Sequence, residues 1–525
     1  MKTEMMTYLE HLQDQEIQDK IEYLPDEKKY VASYPYTKEV LNLLPNEEIA
    51  RRRSQNLEKT LLKRPADIEQ LNQSLKDSFQ RGVFRFLTEK ELEGWSGPVH
   101  YVAMNVIYKE SESTPVQLVF DSGQPDKNGR SLNGCMGKGK NPLNHFGSVI
   151  LNFRAAEQGA CGDIKKMYNQ IAIREQDQHL GRFFIRPDGF GGMQPLKVAV
   201  TTCVNFGQKA AGGIATAVKD RCAEENKHIS PKVAKMIQNK CFMDDVNVDA
   251  KYNESLEENI KKAEQIMDIG GFKFKKWIRN GDRGEKELGN SEEVATKSLG
   301  MSWKTETDKL VYRVKLNFSK KKRNRYSSSF TTLDSLETDF PQSMTKRLAL
   351  KLNHTIFDPA QLLQPFIMKL RLAFRDILFY ERENNCADWD AALPEKFRTQ
   401  WLQLTKEMFD LETLEFDRSL VPRDYDPTKK PTLVLFSDGA DKGQCACVYL
   451  VRKMLYNEDN FVSLVTSRTK IASMTKITTP RSELSAAQLQ SRLKTWLHNT
   501  LDLEIGDTIH IVDASTDGLT DKVSS

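Results

Sequence analysis

The stretch Cys241-Phe242-Met243-Asp244-Asp245-Val246-Asn247-Val248 decides how this chain is interpreted. Its two adjacent carboxylates, Asp244 and Asp245, interrupt an otherwise apolar segment that favours a strand. Burying one unpaired carboxylate is costly, and burying two side by side costs more because each raises the pKa of the other. A hard divalent cation would neutralise the pair. On this segment alone an exposed β-turn is the alternative, since aspartate favours turns for local reasons.

A third carboxylate, Asp163, stands upstream in a similar setting. It follows Ala160-Cys161-Gly162 and precedes Ile164, a pattern that indicates a strand ending in a turn. Together the three aspartates supply enough oxygens to hold two Mg²⁺ ions about 4 Å apart. Such a pair of ions polarises an attacking 3′-hydroxyl and stabilises a leaving pyrophosphate. By itself the triad suits several classes of phosphoryl-transfer enzyme.

Length and composition set the broad class of the chain. Its 525 residues exceed one ordinary domain, so we expect two to four. The balance of 39% hydrophobic and 29% charged residues is typical of a soluble, folded protein. A net charge of +4 is too mild to indicate a nucleic-acid binder by itself. The basic residues are dense only at 320–325, where a solvated loop is the alternative to a phosphate contact.

Cysteine usage and hydropathy indicate the cellular setting. The eight cysteines show no Cys-x-x-Cys spacing and no His-rich cluster accompanies them, so we expect no structural zinc site. Cys445 and Cys447 are predicted as small core residues on one strand face. The first residues lack an apolar signal region, and no apolar run reaches membrane-spanning length. We therefore expect an intracellular protein without membrane partners.

The pattern along the chain divides it into four segments. Residues 1–95 are mostly helical, 96–305 are mixed, 306–428 are more helical and end in a Pro-bearing linker at 421–427, and 429–525 are mixed again. In the second segment the predicted strands are 100–108, 116–121, 183–186, 196–203 and 241–248. In the last segment the predicted order is strands at 432–436, 444–451 and 462–468, a helix at 482–497 and a strand at 508–512.

A series of motifs along the chain resembles one family. These motifs lie at 118–122, 131–133, 163–171, 205–209, 242–245, 270–277, 299–303, 345–347, 356–359, 362–365 and 388–390. In this order they resemble the reverse transcriptase of BEL/Pao-type LTR retrotransposons and, more distantly, retroviral polymerases. The resemblance covers roughly residues 20–525.

The resemblance implies an α+β multidomain fold. Residues 1–95 would lead into the fingers, 96–305 would form the fingers and palm of a right-hand polymerase, 306–428 the thumb and connection, and 429–525 an RNase H-like α/β domain. The implied activity is RNA-directed DNA polymerisation with two Mg²⁺ ions, or Mn²⁺ in their place. The implied partners are an RNA template, a DNA primer, their hybrid, dNTPs, and a second copy or other proteins of a cytoplasmic retroelement particle with nuclear access.

The resemblance also implies roles for individual residues. Asp163, Asp244 and Asp245 would be the catalytic metal ligands, joined by the backbone carbonyl of Ile164. Tyr168 would be the steric gate against ribonucleotides, with a core aromatic as the alternative. The remaining nucleotide contacts would be Gln117, Phe206, Gly207 and Lys276, and the primer-gripping hairpin would comprise Gly300, Met301 and Trp303.

Three further acids match the RNase H-like pattern. Asp438 stands at a strand end, Glu483 at a helix start capped by Ser482, and Asp513 at the end of a later strand. Carboxylates that converge in this way are what a two-metal nuclease needs. The pattern also requires a fourth acid and a final helix, and the chain stops twelve residues after Asp513. We therefore expect a truncated domain with little RNA cleavage.

Departures from the family pattern keep two other functions open. Gln117 stands where the family has an arginine that contacts the triphosphate, and Ala360-Gln361 replaces a common Leu-Gly. These changes favour a catalytically decayed, nucleic-acid-binding relic as the alternative. A second alternative is an aspartic protease, because Asp121-Ser122-Gly123 fits the signature of retroviral proteases.

Overall fold

The computed structural model describes residues 8–108, 116–288, 299–318, 330–456, 459–473 and 478–512. The chain divides into two compact units. The first comprises Met1–Leu143, Asp163–Asn239 and Lys261–Lys275, and the second comprises Asn144–Gly162, Lys240–Ile260 and Lys276–Ser525. Both units combine helices with sheets, which confirms the predicted mixture of α and β structure.

The helices are numbered in chain order. They are α1 (Tyr8–Asp19), α2 (Glu47–Leu61), α3 (Pro65–Gln80), α4 (Glu89–Gly94), α5 (Phe146–Arg154), α6 (Glu175–Gln178), α7 (Ala211–Glu225), α8 (Pro231–Asn239), α9 (Leu256–Ile269), α10 (Leu336–Asp339), α11 (Lys346–Asn353), α12 (Gln364–Asn384), α13 (Glu395–Asp410) and α14 (Thr479–Thr500).

The strands are numbered in the same way. They are β1 (Glu22–Leu24), β2 (Lys29–Ala32), β3 (Phe84–Phe86), β4 (Ala103–Tyr108), β5 (Val116–Asp121), β6 (Gln158–Asp163), β7 (Ala172–Ile173), β8 (Phe183–Ile185), β9 (Lys197–Thr201), β10 (Cys241–Phe242), β11 (Asp245–Ala250), β12 (Ile278–Arg279), β13 (Glu285–Glu287), β14 (Leu299–Lys304), β15 (Lys309–Val314), β16 (Glu415–Asp417), β17 (Thr432–Ala440), β18 (Gly443–Lys453), β19 (Asn460–Ile471) and β20 (Thr508–Val512).

The first unit is built on short sheets. Their strand orders are β1-β2-β7, β3-β9-β8 and β4-β5. Aromatic side chains fill the core between these sheets and α3. Phe84 makes edge-to-face contacts with Phe120 and Phe183, at ring-centroid distances of 5.8 and 5.3 Å. The core thereby holds β5, which ends at Asp121, against β3 and β8.

The second unit contains the stretch on which the sequence interpretation rests. The prediction of one strand over 241–248 is wrong, because β10 and β11 are separate and pair antiparallel, with Phe242 opposite Asp245. Their sheet has the order β10-β11-β6-β12. A second sheet, β13-β14-β15-β16, packs its apolar face around the fully buried Trp303.

The last sheet follows the order predicted for 429–525. Its strands run β19-β18-β17-β20, and β20 pairs parallel to β17 while the others are antiparallel. Helix α14 covers one face of this sheet. The buried positions of α14 repeat every three or four residues, which is the period of one helix face; they are Ser482, Ala486, Gln490, Leu493 and Leu497.

Close packing fixes where α14 begins. A β-carbon on Gly439 of β17 would lie 2.5 Å from the backbone carbonyl of Ser482 and 2.7 Å from the backbone nitrogen of Glu483. Only glycine lets the strand and the helix approach so closely. The predicted cap is wrong, since Thr478 precedes the helix and the buried Ser482 hydroxyl instead donates to the carbonyl of Ala440.

Two fully buried arginines connect the parts of the second unit. Arg418 donates to both oxygens of Asp308, at 2.6 and 2.8 Å, and to the carbonyls of Phe153, Ala156 and Glu157. Arg154, at the end of α5, donates to the carbonyls of Val465 and Leu464 in β19. Burial lowers the pKa of Arg154 to about 10. These bonds tie α5 and the start of β6 to the two neighbouring sheets.

Two further predictions differ from the structure. The segment 421–427 is not a free linker, because Val421 is buried and the backbone N–H of Asp426 donates to the carbonyl of Lys453. Cys445 is exposed and Cys447 is only half-buried, so neither is a core residue. Both project from the face of β18 that α14 does not cover.

Some of the sequence interpretation lies outside the described residues. This holds for the basic run at 320–325 and for Asp513. The division into four domains stays a prediction. Within the part of the chain that the structure describes, no helix has both the length and the apolar character needed to cross a bilayer.

We expect Gly439→Ala to destabilise the β17–α14 packing by about 1–3 kcal/mol, since the added methyl group overlaps backbone atoms that cannot rotate away. Hydrogen exchange of the full chain should show faster exchange in β17 and α14. The matched control is Gly94→Ala, where a β-carbon meets nothing within 4 Å. Equal exchange in both variants would contradict the packing argument.

Candidate active site

The tight hairpin between β10 and β11 carries the first pair of acids. Its two-residue turn consists of Met243 and Asp244, and Met243 has a φ of 57°. A non-glycine residue in this left-handed region costs of order 1–3 kcal/mol and persists only where its surroundings impose it. The turn leaves Asp244 exposed and Asp245 half-buried at the start of β11. Strain of this kind is concentrated at functional sites.

Asp245 forms an ion pair with a lysine of the sheet β13-β14-β15-β16. The Nζ of Lys286 in β13 lies 2.8 Å from the Oδ1 of Asp245, and the two side chains are 14% and 21% exposed. Burial by itself would lower the pKa of Lys286, but the neighbouring Cys161 and Asp245 raise it above its usual value. Burial also raises the pKa of the Cys161 thiol, which donates to the same Oδ1 at 3.7 Å.

Asp163 has a lysine partner of its own in the first unit. It is the last residue of β6, and its Oδ1 lies 2.9 Å from the Nζ of Lys275. The backbone pairs as well, because the N–H of Lys275 donates to the carbonyl of Asp163 and the buried Ile164 bridges to Phe274. The prediction that Asp163 ends a strand is confirmed.

The three acids predicted to be catalytic belong to different units. Asp163 belongs to the first unit, whereas Asp244 and Asp245 belong to the second. Carboxylate oxygens are the ligands that Mg²⁺ prefers. Among the described residues, however, no group of three or more His, Cys, Asp or Glu side chains is placed to hold a metal ion. The donor chemistry suits magnesium, and the convergence of the three acids on shared ions stays a prediction.

The predicted nucleotide contacts lie in the first unit, apart from Lys276. The ring of Tyr168, on a short 3₁₀ helix, makes an edge-to-face contact with Phe206 at 4.6 Å between centroids, and both rings are half-buried. Gly207 has a φ of 105°, and a β-carbon there would overlap the carbonyl oxygen of Phe120. Gln117 lies in β5, and its side chain is outside the described part.

The basic segment after α9, residues 270–277, contains buried aromatic residues and exposed lysines. Phe272 and Trp277 are buried, whereas Lys273, Lys275 and Lys276 are exposed. This agrees with the expected inward packing of the aromatic residues. The role proposed for Lys276 stays a prediction, and Lys275 is the lysine that pairs with a catalytic acid.

The residues predicted to grip the primer lie in β14. Gly300, Met301 and Trp303 all belong to this strand. Met301 and Trp303 are fully buried, and the Nε1 of Trp303 donates to the Oδ1 of Asp308. The side chains of Met301 and Trp303 therefore pack in the core, so any contact with a primer would come from other atoms of the hairpin.

Two of the RNase H-like acids are close in the second unit. Asp438 is exposed near the end of β17, and the Gly439–Ser482 packing brings the start of α14 beside it, with Glu483 next in the chain. Cys445 lies opposite Asp438 in the register. Burial and then the charges of Asp438 and Glu483 raise the pKa of Cys445, so both carboxylates act on one thiol. Val512, the last described residue of β20, pairs with Ser437.

Asp121 does not resemble a protease centre. Its Oδ2 accepts a hydrogen bond from Arg53 at 2.9 Å, so a cation engages the carboxylate. Protease chemistry of the aspartic type requires a second carboxylate to share a proton with it. This contact weighs against the protease alternative.

Sequence reasoning missed Lys275 and Lys286 as partners of the catalytic acids. Lys286 stands in Glu285-Lys286-Glu287, where alternating charges indicate only an exposed strand. The one available signal for Lys275 was its place in a segment that alternates lysine with aromatic residues.

We expect Lys286→Met to destabilise the hairpin by about 1–3 kcal/mol, because it leaves a half-buried carboxylate without its cation. Asp245→Asn in the same background should recover part of the loss. Denaturant unfolding of the full chain, with hydrogen exchange over residues 241–250, measures both effects. The exposed Lys276→Met is the control, and equal effects of the two lysine substitutions would refute the ion pair.

Part of this chain matches a known protein family. Residues 345–514 match the model of the Pao retrotransposon-like RNaseH-like domain. The curated proteins include no match to this chain. Among solved structures, one similar chain is the foamy viral protease-reverse transcriptase dRH in complex with ds DNA, at 12% identity and a TM-score of 0.47. The alignment covers 85% of the present chain and 63% of the viral one, so this chain spans less than two thirds of that protein.

The family match agrees with the resemblance found in the sequence. It begins within the segment predicted as thumb and connection, and it extends through α14 and β20. It therefore includes strand β17, which bears Asp438, and helix α14, which bears Glu483. Residues 345–514 are therefore similar to the RNaseH-like domain of Pao retrotransposons.

Proposed function

We propose that this chain is the RNA-directed DNA polymerase of a Pao-type retroelement and extends a DNA primer on an RNA template with dNTPs. The proposal rests on the hairpin of β10 and β11. A strained turn presents Asp244 to solvent, while Lys286 restrains Asp245. A two-residue hairpin turn requires a positive φ at its first position, where glycine or asparagine would adopt it at little cost, yet this chain has a methionine there beside two carboxylates.

Strand β6 provides the link to the third acid. Cys161 of β6 donates to the Oδ1 of Asp245, and Asp163 follows it two residues later in the same strand. Two residues of a strand span only about 7 Å. Chain connectivity therefore favours a common site for the three acids. Bound at such a site, Mg²⁺ or Mn²⁺ would supply Lewis-acid activation and charge neutralisation.

The chain's own residues would orient the substrates. The half-buried ring of Tyr168, braced by Phe206, offers a rigid surface against the sugar of an incoming nucleotide. Exposed lysines at 273 and 276 would attract phosphates of the nucleic acid. Lys275 would fix the orientation of Asp163 before substrate binds.

Primer extension on poly-rA/oligo-dT tests the polymerase directly. We expect Asp244→Asn and Asp163→Asn each to reduce incorporation at least roughly 100-fold, the scale on which losing one charge-stabilising group slows an enzyme. Asp334→Asn, at an exposed position of the second unit, is the matched control. Chelation should abolish incorporation, and Mg²⁺ or Mn²⁺ should restore it. Binding of the hybrid without any incorporation would favour the decayed relic instead.

We expect Tyr168→Ala to raise ribonucleotide incorporation relative to deoxynucleotide incorporation at least roughly 10-fold, because the ring would no longer exclude a 2′-hydroxyl. Competing rNTP and dNTP incorporation measures the ratio. The control is Tyr252→Ala, where an exposed tyrosine of the second unit is removed. An unchanged ratio would assign Tyr168 to the core.

A further inference from the structure

A polar cavity in the second unit has none of the roles described above. It has a volume of about 400 Å³ and lies between the segment that leads into α12 and strand β19. Arg371 of α12 and Arg468 of β19 line it, with Gln361, His354 and Thr469. All of these residues fall within the range 345–514 that matches the family model.

The two arginines donate hydrogen bonds to neutral groups. In the described part of the chain neither Arg371 nor Arg468 forms an ion pair with a carboxylate. Instead, Arg371 donates to the carbonyl and the hydroxyl of Thr469, at 3.0 and 2.9 Å, and Arg468 donates to the Oε1 of Gln361 at 3.3 Å. Both side chains are half-buried. Asp358 is the acid whose charge acts on Arg371, and placing two partly desolvated cations at a cavity with one acid is costly.

The acid that does line the cavity is already engaged. Asp358 accepts hydrogen bonds from the hydroxyl of Tyr312 and from the backbone N–H groups of Leu362 and Leu363, at 2.7, 2.9 and 2.8 Å. Its carboxylate therefore orders the turn before α12. Asp358 acts on Arg371 through its charge without forming a salt bridge, so the two guanidinium groups share one acid at this cavity.

The walls of the cavity are held in place by the backbone. Gln361 has a φ of 59°, and its carbonyl accepts hydrogen bonds from the N–H and the hydroxyl of Ser467 in β19. The family's common glycine would adopt this left-handed conformation without strain. Here a glutamine adopts this strained conformation. Its Oε1 accepts a hydrogen bond from the Nε of Arg468 at the edge of the cavity. Arg468 also lies over the ring of Trp496, 5.6 Å from its centroid.

From this geometry we infer that the cavity is a binding site for a phosphate group, held by the guanidinium groups of Arg371 and Arg468. The planar guanidinium fork matches the oxygens of a phosphate and binds them in pairs. The phosphate comes from the backbone of a nucleic acid, which rests on the proposed function, or from a free phosphate anion, which does not.

Binding of a labelled RNA–DNA hybrid by the full-length protein tests the first source. We expect the double variant Arg371→Gln/Arg468→Gln to weaken binding at least roughly 10-fold, and the slope of log affinity against log salt to become shallower by about 0.9, since one phosphate contact is lost. Arg382→Gln removes an exposed charge from the same helix and is the matched control. An affinity and a slope equal to those of the control would overturn the backbone source.

Arginine modification by phenylglyoxal tests the site without any substitution, so a variant that fails to fold cannot obscure the result. Protection of Arg371 and Arg468 by the hybrid, read by mass spectrometry, supports the nucleic-acid backbone as the ligand. Protection by inorganic phosphate alone supports a free anion. Protection by neither probe overturns the site. None of these readouts requires primer extension, so the result is separable from failure of the proposed polymerase.

Discussion

Buried guanidinium groups are the constraint on which the second unit depends. Arg154 and Arg418 are almost completely removed from water, and a buried charge is tolerated only when its donors find acceptors. Backbone carbonyls of α5, of the loop before β6 and of β19 supply most of these acceptors. The end of α5 therefore cannot move without exposing unsatisfied donors, and β6 begins at a defined place.

In the candidate active site, lysines rather than arginines are the cations that hold the neighbouring groups in place. Asp163 and Asp245 each meet one lysine, and each lysine comes from a segment that follows the hairpin in the chain. A lysine leaves part of the carboxylate accessible, because it binds as a point charge at one oxygen. Another oxygen of each carboxylate therefore remains for a further ligand. The strained Met243 adds to this picture of a site whose geometry is imposed by its surroundings.

In the RNaseH-like region, close packing of backbone against backbone determines where two acidic side chains lie. Gly439 lets the backbone of α14 approach β17, and this approach brings Glu483 beside the strand that bears Asp438. The same sheet contributes β19, whose hydrogen bonds to Gln361 form a wall of the arginine-lined cavity. One sheet thus supports acids toward one end of β17 and cations along β19. The two clusters suit different tasks, because carboxylates bind cations and guanidinium groups bind phosphates.

The sequence by itself determined the order of the motifs, the end of β6 at Asp163, and the succession of strands and helix from β17 to β20, because alternation and helical periodicity are local properties. The strand pattern did not reveal that 241–248 turns back as a hairpin, since the residues on both sides of the turn favour strands equally; the resemblance at 242–245 did predict the hairpin. Only the tertiary structure decided that Lys286 pairs with Asp245, that Met301 and Trp303 belong to the core, and that Arg371 and Arg468 line one cavity. Each of these contacts joins residues far apart in the chain, and no local pattern encodes which distant charge or apolar face will meet another.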